Sequence, residues 1–175
     1  MKKPLVLWGG VDICPSMYNK PRLKYTQHPN DERDRKEKYL VENTIKENRP
    51  IIGICRGAQL LCALNGGELY QHSEPTTQCH SIMTRKGLFE NVTAGHHQIM
   101  MPKGNHTVYG WNPKFTRVWL YNDVSFMEQG LPEVVWWPET KCLAIQPHPE
   151  WAEEGNAFVE WLNTLIQSKH IDYKF

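Results

Sequence analysis

Two short segments of the chain hold residue types that do covalent chemistry. The first is Gly53-Ile54-Cys55-Arg56-Gly57, a cysteine with glycines at minus two and plus two. It lies between the apolar run IIGI and a helix-forming stretch, which predicts a strand-to-helix corner with the thiol at its apex. A nucleophile on such a corner sits in crowded, strained backbone, and the glycines relieve the crowding. The helix that follows aims its N-terminus at the sulfur, which predicts a thiolate rather than a thiol. The backbone N–H of Arg56 then points where an oxyanion would form. The second segment is Gln146-Pro147-His148-Pro149-Glu150. Proline on each side stiffens the backbone around His148, as suits a general base. Glu150, two residues on, reaches the second ring nitrogen. Either segment alone reads as readily as a structural cysteine at a turn or a solvated His and Glu. At the ends of successive strands of one sheet, the two together point to a nucleophile, a base and its orienter.

Those residues need a scaffold. Residues 4 to 8, PLVLW, read as a buried strand closed by Gly9 and Gly10. A long loop rich in Pro and Asn follows, of a length that in compact domains is usually functional. Residues 31 to 48 turn helical and highly charged, with Tyr39, Leu40 and Ile45 as part of a buried stripe. Arg33 and Asp34 in this helix read as a solvated, salt-bridged face. IIGI is a strand and RGAQLLCALNGG a helix ended by Asn65 and two glycines. Strand, helix, strand, helix predicts an α/β domain on a parallel sheet. FTRVWLY, EVVWWPET and KCLAIQPHPEW read as further strands. Phe158, Trp161, Leu162, Leu165 and Ile166 mark one face of a closing helix. No repeat or linker divides residues 1–175, which read as a single domain.

Composition narrows the function. The 175 residues carry a net charge of +1, which argues against a nucleic-acid or anionic-membrane surface. No apolar run is long enough to span a membrane. Five cysteines, an odd number without paired spacing, fit reduced thiols in a cytoplasm. Cys62 reads as core. Neither CxxC, HxxxH nor HExxH occurs, so no metal and no cofactor are expected, despite eight histidines. Asp12 reads as an Asx-turn or a tie on the loop after Gly10. Trp8 and Trp151 flank the two motifs and would wall a pocket.

GICRGAQLL followed by QPHPEW resembles the class I glutamine amidotransferases, and more narrowly the γ-glutamyl hydrolase branch, peptidase family C26. GGVDICPSMYN, RPIIGICRGAQLL, NGGELYQ, GHHQ and the Glu of EVVWW are similar to that branch's loop, elbow, turn, histidine-pair and strand segments, over about residues 5 to 151. The resemblance implies a flavodoxin-like three-layer sandwich with a mostly parallel central sheet. It implies that Cys55 forms a γ-glutamyl thioester, that His148 moves the protons and that Glu150 orients His148. Backbone N–H groups of Gly10 and Arg56 would form the oxyanion hole, and Gln59, His96 and Gly9 would line the glutamyl pocket. The substrate would be a γ-glutamyl amine or a γ-glutamyl nucleotide amidate. Alternatives are a glutaminase subunit delivering ammonia to a synthetase partner, or an inactive binding module on the same fold. The chain departs from the branch at Thr93-Ala94-Gly95, where Asn-Ser-x is common, and at His72, where many relatives have Asp. It is also shorter, which implies a more open site or one completed by another chain.

Overall fold

The computed structural model describes residues 3–75 and 78–175 of the chain. Its strands are β1 (Leu5–Leu7), β2 (Ile51–Ile54), β3 (Glu68–Tyr70), β4 (His72–Glu74), β5 (Cys79–Thr84), β6 (Gly87–Thr93), β7 (Ile99–Met101), β8 (Thr107–Asn112), β9 (Thr116–Trp119), β10 (Ser125–Glu128), β11 (Leu131–Trp137) and β12 (Cys142–Ile145). The α-helices among the described residues are α1 (Asp31–Lys46), α2 (Arg56–Leu64) and α3 (Ala157–Ser168).

The central sheet has seven strands in the order β1-β2-β12-β11-β8-β5-β6. β1, β2 and β12 pair in parallel, and β2 is buried along its whole length, as an all-apolar run between two neighbours should be. The α/β class is as the sequence implies, but parallel pairing is confined to this edge. From β12 outward the ladders are antiparallel. The reason lies in the connections. Arg85 and Lys86 alone join β5 to β6, and a four-residue turn joins β11 to β12, whereas a parallel crossover needs a dozen residues or so, usually a helix. β10-β9-β4 and β3-β7 form two small sheets beside the main one.

Side-chain alternation sorts the core into two layers. Val135, Trp137, Cys142 and Ala144 face α2 and meet Ala58, Leu60, Leu61 and Cys62. Val134, Trp136, Leu143 and Ile145 face the other way and meet Phe158, Leu162, Leu165 and Ile166 of α3. Each such side chain contributes ~1.5–3 kcal/mol by leaving water. The apolar face expected on the closing helix is thus the one buried, and helices cover both sides of the sheet.

The charged helix turns differently from expectation. Tyr39 is 66% exposed and Leu40 47%. The buried positions of α1 are Asp34, Val41 and Thr44, with Ile45 packed at the edge of the core. A buried charge sets this rotation: Asp34 pairs with Arg56 beneath it, and residues seven and ten positions later follow onto the same side. The long loop before α1 contains a short 3-10 turn, Pro15–Tyr18. Buried Gln71 ties down its later part. Its side-chain oxygen accepts from the Leu23 N–H and the Thr26 hydroxyl, both at 3.0 Å, and its amide donates to the Pro21 carbonyl at 2.8 Å.

Candidate active site

Cys55 sits between β2 and α2 with φ 51° and ψ −107°, a strained conformation for a residue with a side chain. Its N–H donates to the Ile145 carbonyl at 2.8 Å, which continues the β2–β12 ladder to the corner. The flanking glycines have the steric duty that their spacing suggests. A Cβ on Gly53 would lie 2.5 Å from the Gly57 carbonyl, and one on Gly57 would overlap the Leu7 carbonyl. The corner is therefore closed on both sides by backbone.

The thiol itself is not the expected thiolate. Burial pushes the Cys55 thiol up to about 12; the Arg56 N–H pulls it down, and the negative charges of Glu150, Asp12 and Glu133 push it further up. Desolvation outweighs the backbone N–H, so a proton acceptor must arrive before the sulfur can attack.

The imidazole of His148 stands just past the end of β12. Glu150 Oε1 lies 2.7 Å from His148 Nδ1. A carboxylate only accepts, so Nδ1 carries the proton and Nε2 of the neutral ring is left with its lone pair. The His148 N–H donates to the Thr93 carbonyl at 2.9 Å, an anchor that the proline reading did not include. Trp151 stacks on the imidazole with ring centroids 3.6 Å apart and planes 3° from parallel. Gly9 brings the two motifs together. A Cβ there would be 3.5 Å from the Cys55 Cβ, 3.6 Å from His148 Nε2 and only 2.8 Å from His148 Cε1. Cysteine and histidine thus flank one glycine, and any side chain at that glycine would displace the ring. Trp8 and Trp151 are both exposed, and Trp151 covers the ring of His148.

Beneath the Trp8–Gly10 loop lies a polar network. The Arg33 guanidinium donates to the Trp8 carbonyl at 3.0 Å and the Gly9 carbonyl at 3.2 Å, and to Glu37 at 2.8 Å. Arg56, fully buried, pairs with Glu37 and with Asp34, and Asp34 also accepts the Cys14 N–H at 2.8 Å. In a trans peptide the C=O and N–H point opposite ways. Holding the Gly9 carbonyl toward Arg33 therefore turns the Gly10 N–H away from it. The reading of Arg33 and Asp34 as a solvated, salt-bridged face fails at Asp34, which is buried against Arg56; Arg33 keeps part of its exposure and its ion pair with Glu37, and its guanidinium also holds the loop.

Gln59 is buried on α2, its amide 3.5 Å from the Gln98 carbonyl. The histidine pair separates. His97 faces Asp12, with Nε2 3.0 Å from Oδ2, and its Nδ1 lies 3.1 Å from that of His72, which stacks on Tyr25. Asp12 also accepts the Gln27 N–H at 2.6 Å, so it ties two distant segments together and is more than a local turn. His96 turns the other way. Its Nδ1 is 3.1 Å from the Gln98 carbonyl and its Nε2 3.4 Å from Glu133 Oε2. The other oxygen of Glu133 lies 2.9 Å from His80 Nε2. Burial pushes the Glu133 carboxyl up, but the two histidines outweigh it and hold the group down at about 2. Sequence reasoning set aside a ligand role for the histidines and did not join His80 and His96 to Glu133, since the three come from β5, the β6–β7 connection and β11. One signal was available: a glutamate in front of VVWW, where a buried strand has no use for a lone charge.

No helix of the described residues is long and apolar enough to cross a membrane. The glutamine amidotransferase-like protein YvdE of Lactococcus lactis is 31% identical over an alignment that covers 88% of this chain and 68% of YvdE. Protein NtpR of Enterococcus hirae is 43% identical over 67 residues, 38% of this chain and 28% of NtpR. The chain thus spans between about a quarter and two thirds of these two relatives. Among solved structures, PurLQS from Thermotoga maritima superposes with a TM-score of 0.56 at 14% identity, covering 94% of this chain and all of that one, a likeness of fold. The Peptidase C26 family model matches residues 3–118, from β1 through the elbow and the histidine pair. On that match and the likeness to YvdE, the chain belongs to the peptidase C26 family, within the class I glutamine amidotransferase-like proteins.

Proposed function

We propose that the protein hydrolyses a γ-glutamyl amide bond by covalent catalysis at Cys55. The observation that carries this reading is Gly9, with Cys55 on one side and the unprotonated nitrogen of His148 on the other. His148 Nε2 takes the thiol proton as Cys55 Sγ bonds to the γ-carbonyl carbon. The oxyanion is held by the N–H groups of Gly10 and Arg56. Collapse breaks the C–N bond, and His148 passes its proton to the leaving amine. Water then attacks the thioester, giving its proton to His148, and glutamate leaves as the thiol is restored. Glu150 holds the ring in one tautomer and offsets the imidazolium charge without itself taking a proton. Gln59 and the backbone at Gly9 line the glutamyl side; His96, expected there, instead turns its ring to Gln98 and Glu133. A thiol held protonated by burial makes the histidine indispensable to the first step.

The test is a screen of γ-glutamyl amines and nucleotide amidates, glutamine included, that measures glutamate release. Cys55→Ala should abolish release, and a glutamine-analogue electrophile should label Cys55 in the wild type. Turnover in the alanine variant would end this reading. Absence of label on a folded protein would leave a binding module. A second reading, an ammonia-donating subunit, is favoured by the exposed Trp8, Val11 and Trp151 around the mouth, where a synthetase partner would cover them. Glutaminase activity that appears only with such a partner would decide for it.

A further inference from the structure

The cluster of His80, His96 and Glu133 has a defect that a proton or a cation must repair. The Gln98 carbonyl can only accept, so His96 uses its Nδ1–H there, and Nε2 alone is left to face the carboxylate. It stands 3.4 Å from Glu133 Oε2. Neither atom makes a hydrogen bond, and both are shut off from solvent. Glu133 as a whole is fully buried, so its orphaned oxygen is costly unless something positive sits against it. We propose that this cluster is a binding site for a late first-row divalent cation of the zinc type.

The geometry fits such an ion. One ring nitrogen from each of His80 and His96 and an oxygen of Glu133 all lie within 4.8 Å of one another. Donors at zinc-ligand distance in a tetrahedral site are about 3.3 Å apart; the two oxygens of Glu133 stand 2.9 Å from His80 Nε2 and 3.4 Å from His96 Nε2, so an ion would draw the three groups slightly inward onto one oxygen or bridge both. Two imidazoles and one carboxylate suit zinc or cobalt better than magnesium or calcium. The second nitrogen of His96 donates to a backbone carbonyl, the usual way a ligating ring is oriented. The backbone is shaped at the cluster: the β5–β6 register slips between His80 and Ile82, and the β11–β8 register slips on either side of Val134, next to Glu133. Such bulges re-aim side chains. His80 and His96 also line a cavity of about 150 Å³, which leaves room for a water as fourth ligand.

Cobalt chloride titrated into metal-free full-length protein tests this without reference to amidase activity. Visible absorption bands of a four- or five-coordinate ion should saturate at one equivalent. They should persist in Cys55→Ser, and the affinity should fall at least about tenfold in His80→Gln and in Glu133→Gln, each checked for fold by circular dichroism. Zinc should displace the cobalt. Absence of bands, or bands unchanged by both substitutions, would leave an ion-paired His–Glu–His group and overturn the site. Bands lost only in Cys55→Ser would put the metal on the nucleophile and overturn it equally. Because glutamate release is not the readout, failure here leaves the proposed hydrolase untouched, and failure of the hydrolase leaves this site testable.

Discussion

The parallel edge of the sheet and its antiparallel remainder build a histidine–carboxylate contact in different ways. On the parallel side, His148 and Glu150 are two residues apart on a proline-stiffened stretch, and the contact needs little more than the local chain. On the antiparallel side, Glu133 reaches a histidine 53 positions away on another strand and a second on a connection between strands. That assembly depends on the register of several ladders and on bulges within them. A local pair survives distortion elsewhere in the molecule. An assembled cluster reports on the fold as a whole and is invisible to any motif read along the chain.

The sharpest break in the comparison is on the local side. His148→Ala should lower kcat/KM by about 10³–10⁴, and Glu150→Ala by less, since it orients and does not transfer protons; steady-state kinetics of the two variants checks the ranking. Equal rates for Glu150→Ala and wild type would remove Glu150 from the machinery. Next comes the thiol. Held up at about 12, Cys55 is protonated through neutrality, so iodoacetamide labelling should rise roughly tenfold per pH unit from 7 to 10, without levelling at the ordinary thiol value. A plateau below pH 7 would mean a preformed thiolate–imidazolium pair. The assembled network under the Trp8–Gly10 loop should fail in stability: Asp34→Ala leaves buried Arg56 with Glu37 alone and the Cys14 N–H without its acceptor, and should cost about 3 kcal/mol in urea unfolding. Arg33→Met should act on rate instead, lowering kcat about 10–100-fold with KM little changed, since the Gly9 carbonyl loses its anchor and the Gly10 N–H its aim. The smallest effect belongs to Tyr39→Ser, within about 0.5 kcal/mol of wild type, because the side chain lies outside the buried stripe.

What could be read along the chain follows the same division. Gly53 and Cys55 state their own corner, because a side chain at Gly53 would strike Gly57 four residues on, whereas the need for Gly57 comes from Leu7 on β1. The His148–Glu150 contact was legible for the same reason. Ile51 to Ile54 and the α3 face followed from burial periodicity alone. The rotation of α1 was not legible: Tyr39 and Leu40 are the apolar choices, and only the buried pair of Asp34 with Arg56, two elements away, overrules them. Helix-end electrostatics predicted a thiolate, and the burial that opposes it depends on packing that no local window contains. The antiparallel remainder of the sheet was also hidden, although the two-residue Arg85-Lys86 turn was available as a sign. The supports of the Trp8–Gly10 loop and the cluster around Glu133 stayed out of view because their partners lie on separate elements.

The indole laid flat on His148 gives the molecule a built-in optical gauge. Trp151 is more than half exposed and touches the ring through which every proton of the proposed cycle would pass. An acyl group arriving at the sulfur, or an amine departing across the mouth, would change the surroundings of that one fluorophore on the timescale of the event. Stopped-flow emission of the wild type compared with Trp151→Phe would isolate its signal from the other six tryptophans, so that single turnovers could be followed with unlabelled substrates of any amine.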